Sequence, residues 1–429
     1  MIATLGKRLQ FARAFKSRRY TMIWIGQAIS NVGDGIFNIA LAWQVLVMTH
    51  SATAMGLLLI ASMVPRLAFA LIGGVAADRL PRRMIILWSD GGRGLLVLLI
   101  SILGFLGDLQ FWHLIIEALI FGVVDGFFNP AIMAITPDLV DKDDLASANA
   151  LNSVSSNLAL LLGPLLGAGL IAAFTPMGAF VGNALSFFLS VAFLLSVSIP
   201  ERHVTQSTED EGKLEEEPAK PQGFRGVMTD IQEGLVYVRN SRWLRITILN
   251  AAINNIGFMA AIAVAMPKLV ANVYHQGSTL LGLISAAEAI GSLLALLLIG
   301  PATRLKRRGL LAYLSLSLTC IGMMIFGLPF PRAEAPFIAP LASMLVGFGL
   351  TFKNTIWYTI LHETIPNDKL GRVISLDVFA TFATIPLGEA LGGILADRIG
   401  PALVFLIFGA FNFVNVMTPL LVREVRELE

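Results

Sequence analysis

Charge is scarce in this chain: Asp, Glu, Lys and Arg together make up 14% of its 429 residues, against 56% hydrophobic residues. A soluble domain of that length needs far more charge to cover its surface. Mean hydropathy is +0.75, which places the chain among polytopic membrane proteins. Cysteine is nearly absent. Cys320 stands alone in an apolar run, which excludes an intrachain disulfide and any multi-cysteine metal site. His50, His113, His203, His275 and His362 are scattered and form no ligand cluster. No Walker loop is present, so ATP is not the expected energy source; neither an enzyme nor a cofactor is expected. The net charge of +2 is too small to indicate a nucleic-acid partner.

What the chain has is long apolar runs. A hydrocarbon core about 30 Å thick takes roughly twenty residues per helix. Twelve segments fit, including 20–47, 147–174, 178–199, 244–272, 371–395 and 402–422, six on each side of 200–243. Short linkers make neighbours antiparallel. The expected organisation is a six-helix bundle over 1–199, a cytoplasmic linker with an amphipathic helix over 200–243, and a second bundle over 244–429.

Lys and Arg set the orientation. Of 31 such residues, only Arg332 and Arg398 fall in outside loops, and Arg66, Arg93, Lys268 and Lys353 lie within apolar runs. The rest fall on one side, so both termini are expected in the cytoplasm. Basic residues from Lys7 to Arg19 precede the first run and suit an amphipathic lead-in, with Leu5, Leu9, Phe11 and Phe15 toward lipid. Residues 201–223 read as a disordered linker rich in Glu, Lys and Pro. Phe224, Val227, Ile231, Leu235 and Val238 recur at helical spacing, which suits a helix on the inner leaflet or against the bundle.

One motif occurs twice. Pro65, Gly73-Gly74 and Ala77-Asp78-Arg79 match Pro386, Gly392-Gly393 and Ala396-Asp397-Arg398. The first copy ends inside and the second outside, as inverted repeats within a transporter produce. After the first copy come Arg82 and Arg83. Farther on, Gly163-Pro164-Leu165-Leu166-Gly167 puts two glycines on one helix face, where a neighbouring helix can approach closely, while Pro164 bends the helix.

With Gly74, Asp78, Arg79, Arg82 and Arg83 between the second and third segments, the chain resembles the major facilitator superfamily over its whole length. Pro81 stands where that pattern usually has glycine. The Gly163-Pro164-x-x-Gly167 element is similar to one associated with drug and proton antiporters. Asn129-Pro130-Ala131, Pro137-Asp138 and Gly371-Arg372-Val373 add further matches, to a subgroup that includes bacterial macrolide and siderophore exporters. The resemblance implies an all-α membrane protein with twelve transmembrane helices in two pseudo-symmetric bundles. It also implies residence in the bacterial inner membrane as a monomer. Asp78, Arg79, Arg82, Arg83, Asp138 and the start of helix 11 at Gly371 would then meet as a cytoplasmic gate made by charge-assisted bonds.

Ionisable groups at membrane depth usually face a cavity or a partner. Asp90 and Arg93, three apart, are expected to pair with each other or with the loop arginines in a structural role. Glu117, Lys353 and Glu389 fall near segment ends, where long side chains reach the interface. That leaves Asp34, Arg66, Asp125 and Glu288 as proton-coupling candidates, with Arg66 the partner of the acids. Helices 1, 4, 7 and 10 line the cavity in the family. Asn31, Phe37 and Asn38, then Asn254, Asn255 and Phe258, then Asn354 and Trp357, are the candidate substrate surface, a mix of amides and aromatics suited to amphipathic organic molecules. The expected function is proton-coupled efflux of drug- or siderophore-like compounds by alternating access, with small molecules, protons and the bilayer as partners. A facilitator or importer of a metabolite or lipid, or a non-transporting receptor or scaffold, are the alternatives.

Overall fold

The computed structural model describes residues 13–197, 224–299 and 306–428. The lead-in before residue 13, the linker 201–223 and most of the second basic loop at 300–305 lie outside the described residues. Among the described residues, eleven helices are long and apolar enough to cross a membrane. They are α1 (Arg18–Thr49), α2 (Ala52–Arg79), α3 (Arg82–Leu106), α4 (Phe111–Leu139) and α5 (Leu145–Leu195), then, after α6 (Phe224–Asn240), α7 (Arg242–Val273), α8 (Ser278–Ile299), α9 (Arg308–Phe326), α10 (Ala335–Thr364), α11 (Asn367–Arg398) and α12, whose α-helical part is Pro401–Met417. Local chemistry sets several starts. Ser17 and Ser51, extended and just ahead of α1 and α2, each accept a backbone N–H from the first turn.

Segments 147–174 and 178–199, expected as separate helices, are the two arms of α5 (Leu145–Leu195, 51 residues), which part at Phe174 and Thr175. At 1.5 Å per residue a straight helix of that length would span more than twice the apolar core. It is broken instead at Phe174 and Thr175, whose backbone leaves the helical region just before Pro176. The two arms fold back on each other: the start lies by Arg13, which pairs with Asp144, and the end by Arg83, which donates to the Leu194 carbonyl. Both arms pack on α1, and the second also packs on α3. A Cβ on Gly163 would sit 2.7 Å from Gly35 Cα, so the first arm meets α1 at backbone distance.

The helices form two bundles, one before and one after α6. The described chain ends lie on one face, here the terminal face; there the Gly309 N–H at the start of α9 donates to the Leu428 carbonyl. Helix α6 docks on α11 at that face. Val238 is buried with Leu244, Trp357, Leu361 and Val373, while Leu235 points outward. Of the expected apolar stripe, Val238 thus faces the bundle and Leu235 the surroundings; the side chains of Phe224, Val227 and Ile231 lie outside the described residues.

The bundles are joined at the opposite, far face and parted at the terminal face. One apolar cluster runs through both at the far face, from Phe37, Met55, Leu58 and Phe180 to Val264, Leu269, Leu280 and Phe405. At the terminal face the clusters are separate and each belongs to one bundle. The joining pairs are α2 with α11 and α5 with α8. Glycines make these contacts possible: a Cβ on Gly56 would lie 2.5 Å from the Glu389 carbonyl, and one on Gly282 would lie 2.7 Å from the Pro164 carbonyl.

Candidate functional site

Toward the terminal face, exposed positions on α5 recur at helical spacing and are polar: Asn149, Ser153 and Ser156, with Asn157 beside them. Each of the last three bonds a carbonyl one turn back in its own helix. Helix α4 exposes Asn129 and Met133, and α11 exposes Gly371, Ser375, Phe379 and Phe382. Polar side chains exposed at membrane depth belong to a wet groove rather than to lipid. The groove lies between the bundles and opens to the terminal face.

One wall of the groove contains a buried charge cluster. Arg93 on α3 is 3% exposed and Asp90 is fully buried. Arg93 Nη2 donates to Asp90 Oδ1 at 2.5 Å, and Nη1 donates to Asp125 Oδ1 on α4 at 3.2 Å. The other Asp90 oxygen accepts from Gln27 Nε2 on α1 at 3.0 Å and from Ser190 Oγ on α5 at 2.7 Å. The guanidinium is stacked among aromatic rings, 4.0 Å from the Phe128 centroid and 4.7 Å from that of Phe187. Asp34 on α1 is within the electrostatic reach of Arg93, Asp90 and Asp125, and its Oδ1 is buried with no hydrogen-bond partner. Two carboxylates, Asp90 and Asp125, therefore bond one guanidinium, with Asp34 nearby in its field. Asp90 is fully satisfied, while Asp34 and Asp125 have bonding capacity left.

Sequence reasoning paired the acids with Arg66, and that pairing is corrected. Asp125 is bonded to Arg93, and Arg66 is exposed on α2, where its charge reaches both Asp125 and Glu389. The three-residue spacing of Asp90 and Arg93 correctly gave their pair but hid the guanidinium's second arm. Glu117 and Glu389 do not reach the interface. Glu117 is 1% exposed with both oxygens unpartnered, and Glu389 is 5% exposed with Oε2 unpartnered. Glu288 on α8 is remote from the cluster, with its backbone carbonyl packed on Gly347, and no ion pair involves it among the described residues.

The candidate gate residues are not gathered in this conformation. Arg82 donates to Asp138 Oδ2 at 2.6 Å and to the Ala134 carbonyl at 2.7 Å, all within the first bundle. Arg83 is tied to the end of α5. Asp78 and Arg79 are exposed, with no hydrogen bond or ion pair among the described residues, and Gly371 faces open space. At the far face the second copy of the motif is fully engaged. Asp397 accepts from Ser51 Oγ at 2.6 Å, Ala52 N at 2.8 Å, Thr53 N at 2.9 Å and Thr53 Oγ1 at 2.6 Å, and it pairs with Lys268 on α7. It caps the N-terminus of α2, where two free N–H groups and the helix dipole favour an anion. The sequence carried a sign of this in Ser51-Ala52-Thr53, a capping pattern opposite the repeated Asp.

Of the candidate substrate residues, four are occupied by helix packing. Phe37 stacks on Phe121 with centroids 5.8 Å apart, inside the far-face cluster. Asn254 is buried and its backbone carbonyl accepts from Asn412. Asn255 donates to the Thr381 carbonyl on α11, and the buried Trp357 indole donates to Asp377. Residue type and helix number gave these positions, and neither says which face of the helix a side chain occupies. Phe258 is half-buried against the same cluster, Asn354 accepts from Lys353 at 3.3 Å, Asn31 is half-buried and Asn38 is exposed. Gly163, Pro164 and Gly167 lie where α5 meets α1, and Pro164 also meets α8.

A sealed far face, a groove open on the other side and a charge cluster in its wall fit a solute carrier built from two halves. The chain belongs to the Major Facilitator Superfamily, whose sequence model matches residues 23–376 and, overlapping, 248–429. It is 26% identical over 408 residues to the "Uncharacterized MFS-type transporter YfiS" of Bacillus subtilis (94% of this chain, 92% of that one). It is 24% identical over 416 residues to macrolide efflux protein A of Streptococcus pyogenes (97% and 98%). The enterobactin exporter EntS of Citrobacter koseri is 24% identical over 413 residues (95% and 92%). Among solved structures, a bacterial homologue of the iron transporter ferroportin in its inward-facing state aligns with a TM-score of 0.67 at 15% identity, covering 94% of this chain and 98% of that one. A D-xylose–proton symporter aligns at 0.66 and 13%, covering 95% and 98%. The protein is thus a multi-pass membrane transporter with efflux-type relatives.

Proposed function

We propose that this protein is a proton-coupled exporter of amphipathic organic compounds, drug- or siderophore-like, that works by alternating access with both termini in the cytoplasm. The observation that carries the reading is the cluster beside the open groove in which Asp90 and Asp125 bond Arg93 and Asp34 lies within its field. Efflux relatives in the same family support the direction. With the terminal face cytoplasmic, this conformation accepts substrate from inside. Asp90 holds Arg93 in place, and the rest of the guanidinium's charge is divided between Asp125 and Asp34. A proton on either acid frees Arg93 for the other; loss of both protons leaves the cluster with an excess of negative charge. A cationic or polarised substrate group in the groove meets that excess, so substrate and proton compete for one site.

The inward gate then closes as the mirror image of the far latch. Asp78 reaches the N-terminus of α11 near Gly371, as Asp397 reaches that of α2, and substrate is released outside. The test is dye uptake into inverted membrane vesicles under an imposed proton gradient. Asp34→Asn and Asp125→Asn each abolish gradient-driven uptake. Uptake that continues after a protonophore collapses the gradient rejects the coupling.

A further inference from the structure

The far-face seam contains an acid that the cluster around Arg93 does not use. Glu389 lies on α11 where its backbone carbonyl would be 2.5 Å from a Cβ on Gly56 of α2, and neighbouring Gly388 and Gly392 pack at similar range on α7. The two helices bury all but 5% of Glu389, and Oε2 has no hydrogen-bond partner.

The charged groups around it are accounted for element by element. On α2, Arg66 is felt electrostatically and makes no ion pair with it among the described residues. On α7, Lys268 is held by Asp397. On α11 itself, Asp397 is held by Lys268 and the α2 cap, and Asp377 accepts from Trp357. On α10, Lys353 donates to Asn354. Helix α6 touches α11 through Glu233 and Arg372 near the terminal face, and the α-helical part of α12 has no charged residue.

We infer that Glu389 is a proton-binding site that governs opening of the far face. An ionised carboxylate sealed in an apolar seam without a partner is strongly disfavoured, whereas a neutral carboxyl is tolerated. Separation of α2 from α11 brings the same group to water, where the ionised form is solvated. Closure of the seam and protonation of Glu389 therefore favour each other, and loss of the proton favours opening. Resting on the exporter reading above, this gives the order an antiporter needs. The open far face takes up a proton, the seam shuts, and the carrier returns to the conformation described here.

The test uses the full-length protein in nanodiscs, with Cys320→Ser and spin labels at Asp108→Cys and Arg332→Cys, in far-face loops of the two bundles. Pulsed electron paramagnetic resonance distances are recorded from pH 5 to 9. In the Glu389 parent the long-distance population grows as pH rises. In Glu389→Gln it is lost at every pH. If Glu389→Gln does not fold, Glu389→Met supplies a neutral side chain of similar volume with the same expected loss. A variant that opens along the parent's pH curve overturns the inference, as does a parent whose distances do not change with pH. Failure of the exporter reading shows separately, as absent dye transport in vesicles while the far-face distances still follow pH.

Discussion

Asp397 and Asp78 each sit between an alanine and an arginine at the end of a helix that carries a proline and a glycine pair. In this conformation Asp397 caps α2 and pairs with Lys268, whereas Asp78 is exposed and unbonded among the described residues. The surroundings differ in the same sense. Around Asp397 the two bundles share one apolar cluster; around Asp78 each bundle has its own. The contrast shows that the motif alone does not dock a helix end: Asp397 is engaged where the α2 start is within reach and glycines beneath let the backbones meet.

Replacing Asp397 should disturb this contrast most. Asp397→Ala leaves Lys268 and the first turn of α2 without their acceptor, and loss of such a charge-assisted set costs about 2–4 kcal/mol. The expected result is a far face that opens, read as label separation across the loops at Asp108 and Arg332. Next in size is Gly56→Leu, which forces a side chain against the α11 backbone. Overpacking of that kind costs about 1–3 kcal/mol, and cysteines placed in the seam become reactive to an impermeant maleimide. The smallest effect on this conformation belongs to Asp78→Asn, which removes no bond here and should leave thermal stability within about 0.5 kcal/mol of the parent. The same substitution should suppress dye export, because the state it impairs is the one in which Asp78 meets α11. Equal thermal losses from Asp78→Asn and Asp397→Ala would erase the asymmetry.

Much of the architecture was legible because it follows from composition. Apolar runs of bilayer length, the one-sided distribution of Lys and Arg and the repeated Ala-Asp-Arg each depend on local sequence. The site was less legible. Arg66 and Arg93 are both single cations in apolar runs, and only the tilt and rotation of α2 and α3 decide which of them meets Asp125. Glu389 looked close to an interface because the segment was ended at 395; the helix runs on to Arg398 and its far end is packed against α2. The α5 break at Phe174 and Thr175 falls between the expected segments 147–174 and 178–199, just before Pro176.

The continuous apolar cluster at the far face has a thermal consequence. Opening there exposes groups such as Met55, Leu58 and Val264 that are now fully packed between the bundles. Exposure of apolar surface raises heat capacity, and the drive to rebury it weakens on cooling. In the proposed alternating-access cycle the balance between the two states would then act as a thermometer: chilling would loosen the joined face while each bundle keeps its own interior.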